Sequence, residues 1–382
     1  MDSASVLAEV KRIAEAFATD RHNRQRRREL VASDFAALQK AGLYLTGVPV
    51  EAGGLFESVA KSTRTVGEML RTLARGDPSV ALVMSMHPAV LSFWLATREV
   101  PEPHRAAWGE QRAFVSRMAL EGAQFGTITS EPGSGGDVAG TKAVARPGGP
   151  DGTWLLTGQK HFGSGSGITS FMLTSGRPEG EAEPDWFFID VRGVPWDGSR
   201  GMKLTAPWDG HGMAATQSHG MAFDQFPVHR FAWPGHWRAL SDNAGPFIGT
   251  IFTAVILGIV DAAISTAAEQ LAKKKDTLRA YEQIEWANAE QEAWLMRQAY
   301  EGMLRAVETE PAPLRSVLLG KTACAGLAEE CLRRIVRLMG GGTFARHSPF
   351  GFWFEDVRAL GFLRPPWPLA YQALIDSAWK DY

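Results

Sequence analysis

The sequence predicts an α+β chain, mainly α, laid out as helices, then strands, then helices. Three observations carry this. Apolar residues recur at threes and fours up to about residue 115 and again from about 236, which is helical spacing. Between about 116 and 235 the texture changes to short aromatic and aliphatic runs bounded by Gly, Pro, Asp and Ser, as in strands and turns. The composition, 45% hydrophobic and 21% charged over 382 residues, is that of a folded protein able to bury a large core.

Taken in order, "SVLAEVKRIAEAFATD", "ASDFAALQKAGL" and "TRTVGEMLRTLARGDPSVALVMSMHPAVLSFWLATREV" read as helices, with Gly, Pro and Asp as breaks. "VPVEAGGL", Val48 to Leu55, is a turn between them. "TWLLTGQKHF", "SFMLTS", "DWFFIDV" and "HGMAFDQFPV" read as strands of a central β domain. After Pro234 and Gly235, Ile248 to Leu271 is predicted as one long buried helix, Tyr281 to Val307 as a more amphipathic one, and Ala312 to Met339 as a third. Gly340 to Gly342 stop that helix. The expected units are therefore an N-terminal helical domain (1–115), a central β domain (116–235) and a C-terminal helical domain (236–382).

The net charge is −2, from 40 basic and 42 acidic residues, a balance that argues against nucleic acid or a membrane surface as partner. The richest basic run, Arg21 to Arg28, reads as a solvated helix face in preference to a polyanion site. Two cysteines, Cys324 and Cys331, would stand about 10 Å apart along a helix, too far for a disulfide. Such sparse usage fits a reducing compartment, and a cytoplasmic protein is expected. The first residues lack the apolar core of a secretory signal. "PFIGTIFTAVILGIV" falls short of the about 20 residues that cross a bilayer and reads as a buried helix. No His, Asp, Glu or Cys spacing suggests a metal site.

"ITSEPGSGGDVAG", Ile128 to Gly140, concentrates the unusual chemistry. A phosphate-binding P-loop would need Lys and Ser or Thr after its last glycine, where Asp137 and Val138 follow here. A dinucleotide fingerprint would need a βαβ unit, which the helical first region does not offer. Two readings remain at the level of the residues. One is a loop whose glycines let main chain approach a flat ligand, with Thr127, Thr129 and Ser130 to hydrogen-bond it; the other is a tight β-connection with no ligand.

Beyond this loop, an ordered set of motifs resembles the acyl-CoA dehydrogenase superfamily of flavoproteins. "VPVEAGG" resembles its P-x-E-x-G-G turn, and "TSEPGSGGDVAG" its T-E-P-G-x-G-S-D loop. "DGTWLLTGQKHFGSGSG" resembles its K-x-(W/F)-x-T stretch, and "GHGMAATQSHGMAFDQFPV" its G-M-x-x-T-x-S strand pair. "LMGGGTF" looks like its Q-x-x-G-G loop, and "FEDVRAL" like its R-D-A-R. The resemblance implies a central β-barrel-like domain between N-terminal helices and a C-terminal four-helix bundle. It also implies FAD, with FMN as the alternative, held across a subunit contact of a homotetramer or dimer.

Carried over position by position, the resemblance places Thr127, Ile128, Thr129 and Ser130 along the flavin's pyrimidine and N5 edge. Gly135 and Gly136 fall near the pyrophosphate and substrate side. Phe162 stacks on the ring, Gly163 follows it, and Ser164 hydrogen-bonds near N5. Toward the adenine half, Lys275 falls near the family arginine and Arg337 replaces the glutamine beside Gly340 and Gly341. Either supplies positive charge for the pyrophosphate, or both are surface charges and FAD is weakly held or replaced by FMN. The glutamate that serves as base in acyl-CoA dehydrogenation falls on Arg364, and the alternative position near Ile248 holds no acid. A guanidinium cannot take that proton, so ordinary acyl-CoA desaturation is not expected.

The function expected is a flavin-dependent oxidoreductase acting on a small molecule of unknown identity. One alternative is a two-component monooxygenase fed reduced flavin by a reductase or electron-transfer partner. Another is a flavin-binding scaffold without catalysis. Relatives that oxygenate carry a histidine on the helix that faces the flavin, and His87 stands at that place; its bland reading is a satisfied core histidine. His161 and His211 sit on or beside the strands expected to face the flavin, whereas His219 is expected to face solvent. Trp353 and Trp367 are expected to pack the C-terminal core, Trp367 at the pocket's edge.

Overall fold

The computed structural model describes residues 2–379. Six helices come first: α1 Ser3–Thr19, α2 Arg21–Arg24, α3 Ala32–Lys40, α4 Val59–Gly76, α5 Pro78–Ala96 and α6 Arg105–Leu120. Their starts are chemically marked. Asp2, Ser58 and Asp77 each turn a side-chain oxygen onto a main-chain N–H of the first turn of α1, α4 and α5, and Pro78 occupies the first position of α5. Helix α5 is apolar on all sides, and 94% of its most apolar stretch is buried, which makes it a core helix.

Seven strands follow: β1 Phe125–Thr127, β2 Val144–Pro147, β3 Trp154–Gly163, β4 Phe171–Pro178, β5 Asp185–Asp190, β6 Met202–Ala206 and β7 His219–Arg230. Their pairings close a ring, β4–β2–β3–β7–β5 and back to β4, with β1 beside β4 and β6 beside β7. The interior is filled by Ile128, Leu156, Met172, Phe187, Ile189 and Val228, among others. This is the barrel-like middle that the motifs imply.

The chain then returns to helices: α7 Trp237–Ala272, α8 Ala280–Thr309, α9 Leu314–Met339, α10 Pro349–Val357 and α11 Trp367–Ser377. Helix α7 begins well before the expected Ile248, because Pro246 lies inside it and does not end it. One lost main-chain hydrogen bond is outweighed there by a helix whose most apolar stretch is 89% buried. The helices of both ends share one core, in which Trp94, Phe247 and Trp353 sit together with residues of α4, α5, α7 and α9. Cys324 and Cys331 are buried free thiols on α9.

The basic run at Arg21 to Arg28 is not a solvated face throughout. Arg24 is only 6% exposed and pairs with Asp34 at 2.7 Å and Asp77 at 2.8 Å. Arg21 donates to the carbonyls of Arg75 and Gly76 and lies 4.8 Å over the Trp353 ring. The cause is long-range: α3, the α4–α5 elbow and α10 converge on this turn and exclude water from it.

Candidate functional site

The glycine loop runs from β1 to β2 and is built by its own chemistry. Gly133, Gly135 and Gly136 have φ of 77°, 60° and 85°, a left-handed path open to glycine and strained for other residues. Ser134 knits the loop: its hydroxyl donates to the Glu131 carbonyl at 3.0 Å and accepts the Gly136 N–H at 3.2 Å. The loop is pinned to β3 where His161 N–H donates to Ser130 O at 2.7 Å. Gly136 leaves just enough room for Pro366, whose Cγ would lie 3.1 Å from an added Cβ.

Opposite the loop, the register of β3 on β7 shifts between Lys160 and Gly163. Such a bulge re-aims a side chain. Phe162 sits in it at φ 59° and is 56% exposed, an unusual posture for a large aromatic residue. Trp208 and His161 meet its ring edge-on at 6.1 and 6.2 Å. An exposed aromatic platform in strained backbone, next to His161 and its bridge to Ser130, fits a planar ring system laid against the barrel.

Ser164 heads a chain of hydroxyls whose direction can be worked out. Thr216 donates to Met213 O at 2.8 Å, so Ser218, 2.7 Å away, donates to Thr216. Ser164, at 2.8 Å, therefore donates to Ser218. That leaves the free lone pairs of Ser164 Oγ as acceptors, suited to an N–H of a reduced flavin. Ile128 departs from its expected place. Its side chain is buried in the barrel, its N–H donates to Leu173 O and its carbonyl accepts from Thr174, so only its neighbours offer groups outward. Thr129 is buried beside it, and the Thr127 hydroxyl makes a long contact of 3.9 Å to Met86 Sδ.

Beneath the loop lies an ion pair that sequence reasoning quoted but did not assign. Lys160 Nζ meets Glu131 Oε1 at 2.6 Å, with Lys160 fully buried and Glu131 nearly so. Glu131 also accepts the N–H groups of Lys142 and Ala143, and Lys160 donates to Ser175 at 3.1 Å. Burial lowers the Lys160 ammonium to about 8, with Glu131 opposing the shift and the Arg364 charge adding to it. A charged pair inside a glycine-rich strand and loop is the one sequence signal that marks it.

Arg364 closes the site from the C-terminal side. Its Nη2 lies 3.5 Å from Ser130 Oγ, at the outer limit of a hydrogen bond. Lys321, 3% exposed on α9, fixes the segment from behind by donating to Leu363 O at 3.0 Å and Pro365 O at 2.9 Å. Burial lowers Arg364 to about 10 and Lys321 to about 8; the Asp137 charge opposes the shift at Arg364. Arg364, and no carboxylate among the described residues, stands at the place of the expected base.

His87 is fully buried on α5. Its Nδ1 accepts the Phe125 N–H at 3.3 Å, so Nε2 carries the proton and donates to Tyr44 O at 3.0 Å. Both nitrogens are committed to main chain, and burial lowers its pKa to about 4. This geometry braces β1 and leaves neither nitrogen for a ligand. His219, expected at the surface, is 8% exposed, because Trp196 packs edge-on to it at 5.3 Å and its Nδ1 accepts the Trp208 N–H. His211 is exposed. Trp353 is buried as expected, and Trp367 is partly buried and stacked on Tyr371. Lys275 and Arg337 are exposed on the helical bundle, and no hydrogen bond or ion pair among the described residues ties either to the glycine loop. Gly340 has φ 80°, and added Cβ atoms at Gly340 and Gly341 would meet nothing within 4 Å.

Residues 126–226 match the family described as acyl-CoA dehydrogenase, middle domain. The amino sugar nitrososynthase DnmZ of Streptomyces peucetius is 25% identical over 389 residues, covering 93% of this chain and 88% of that protein. Among solved structures, KijD3 in complex with FMN and a dTDP-linked amino keto sugar superposes with a TM-score of 0.80 at 21% identity, covering 98% of this chain and 93% of that one. FMN-bound TdsC from a Paenibacillus species, a dibenzothiophene monooxygenase, gives a TM-score of 0.80 at 20% identity, covering 99% and 98%. At these identities the structural likenesses establish the fold.

Proposed function

We propose that this chain, by fold and by its middle domain a divergent member of the acyl-CoA dehydrogenase superfamily, is a flavin-dependent monooxygenase of a small molecule. The observation that carries the reading is Arg364. The position from which a carboxylate would take the α-proton of an acyl-CoA holds a guanidinium beside Ser130, and a guanidinium stays protonated. The similarity to a nitrososynthase, and in fold to a dibenzothiophene monooxygenase, supports oxygenation over desaturation.

A bound flavin supplies the redox chemistry, and the residues of this chain hold and shield it. Phe162 offers an apolar face, the glycine loop brings main chain close, and Ser130 and Ser164 present hydroxyls to the ring edge. We read the flavin as FMN in preference to FAD. The adenine-side charges Lys275 and Arg337 stand apart from the loop, and KijD3 and TdsC carry FMN in their structures. Lys275, Arg337, Gly340 and Gly341 are then surfaces through which a second copy of the chain completes the site. The sparse, buried thiols fit a cytoplasmic enzyme.

The test joins two measurements. With NADH and a flavin reductase added, oxygen uptake should depend on substrate. Under anaerobic conditions, octanoyl-CoA should leave the bound flavin oxidised. Rapid bleaching by the acyl-CoA would overturn the reading.

A further inference from the structure

The cations around Ser130 are not all paired. Lys160 and Arg364 lie in this region with Glu131 and Asp137 as the nearby anions, and Lys321 stands behind the Arg364 segment. Glu131 is committed to Lys160 and to two main-chain N–H groups, and one Asp137 oxygen accepts the Ala139 N–H. Arg364 is left with five N–H donors and, among the described residues, a single hydrogen bond at 3.5 Å and no ion pair within 4.0 Å. A partly buried guanidinium with no carboxylate within 4.0 Å is costly to keep, since the more distant Asp137 charge offsets only part of its desolvation.

The main chain on either side of Arg364 is held in place. Lys321 grips the carbonyls on both sides of it, and Pro366 is seated against Gly136 of the glycine loop. The segment that carries the guanidinium is thus held between α9 and the glycine loop, which brings Nη2 to 3.5 Å from Ser130 Oγ. A planar fork so placed matches two oxygens of one acid group.

We propose that the substrate carries a two-oxygen anion, a carboxylate or a sulfinate, and that Arg364 binds it fork to fork with Ser130 beside it. Arg364 is then the residue that sets substrate class, and Lys321 is a positioning residue that acts through it. The proposal rests on the flavin reading only for where the substrate lies relative to the ring.

The experiment uses the full chain and defined probes: hexanoate, benzoate and benzenesulfinate, with hexanamide and benzamide as neutral counterparts. Binding is read in two ways, as a shift in Tm without flavin and as a change in the visible spectrum of the FMN-loaded protein. The anions should give both signals and the amides neither. Arg364→Gln should weaken the anions by about tenfold or more, Arg364→Lys by less, and the FMN affinity should change less than either.

Equal response to anions and amides would overturn the proposal. So would an Arg364→Gln protein that loses FMN while keeping its anions, which would assign the guanidinium to the cofactor. The two readings fail separately. An anion-dependent Tm shift lost in Arg364→Gln upholds the anion site even in a protein that takes up no flavin. A flavin-loaded protein indifferent to every anion keeps the flavin reading and sinks this one.

Discussion

His87 and Asp356 are buried titratable residues with opposite consequences for stability. Burial holds His87 at about 4 against an ordinary 6.5, so the unfolded chain takes up a proton in that window and the folded one does not. Its contribution to stability is complete above 6.5 and lost on acidification toward 4, by up to about 3 kcal/mol. Asp356 accepts the Met213 N–H at 2.6 Å, and burial raises it from 3.8 to about 7. Its contribution is complete at low pH and lost as pH climbs through 7. In the parent protein the two slopes oppose each other between 4 and 6.5. Urea unfolding at several pH values separates them: Asp356→Asn should gain stability as pH rises through that window, and His87→Gln should lose it. Identical slopes in both variants would show that neither residue titrates in this way. The histidine was legible from the sequence only as two alternatives, because its ring is satisfied by Tyr44 and Phe125, 43 and 38 residues away.

At the scale of elements, one turn ties the first helices of the chain together and touches α10 through Arg21. Arg24 ties the turn after α1 to α3 through Asp34 and to the head of α5 through Asp77, which also caps that helix by accepting the Val80 N–H. Removing the guanidinium strands Asp77, which is buried and needed as a cap, and leaves Asp34 to Arg27 alone. Arg24→Met should therefore cost about 3–5 kcal/mol, whereas Arg12→Met, which breaks an exposed pair with Glu9, should cost under about 1 kcal/mol. Similar midpoints in chemical denaturation for the two variants would refute the distinction. The helices themselves were legible because their periodicity is local, and the strands because Gly and Pro punctuate them. Local reading failed where partners lie far along the chain. Arg24 and Asp77 are 53 residues apart and Lys321 and Leu363 are 42 apart, so a basic run looked solvated and Lys321 passed unnoticed. Pro246 misled in the other direction: as a local breaker it hid the first turns of α7, which tertiary burial stabilises. The glycine loop was found because its left-handed φ values need the residue type itself, whereas Ile128 was misplaced because alternation along a strand decides which way each side chain turns.

At the scale of the molecule, the surface of the helical bundle does not look like a terminus of the assembly. On α8, Tyr281, Ile284, Trp294 and Leu295 are 40–60% exposed, and Leu319 on α9 is 45% exposed. Phe344, just past the glycine stretch Gly340–Gly342, is 96% exposed. Scattered apolar residues are ordinary on a surface, but a run of large ones along one pair of packed helices favours association. The open space around Gly340 and Gly341 argues the same way, since a Cβ added at either would meet nothing within 4 Å among the described residues. If a second copy covers this face and completes the flavin site, association and flavin retention are one equilibrium, because a ligand held by two subunits stabilises their contact. The chain should then sediment at a multiple of its 41.6 kDa. The double variant Ile284→Glu with Trp294→Glu, at two exposed positions of α8, should shift it toward monomer and weaken FMN binding by about tenfold or more. Analytical ultracentrifugation with an absorbance channel at the flavin band reads both at once. A folded monomer that keeps FMN at parental affinity would mean that each chain holds its cofactor alone, and that the open glycine turn serves another purpose.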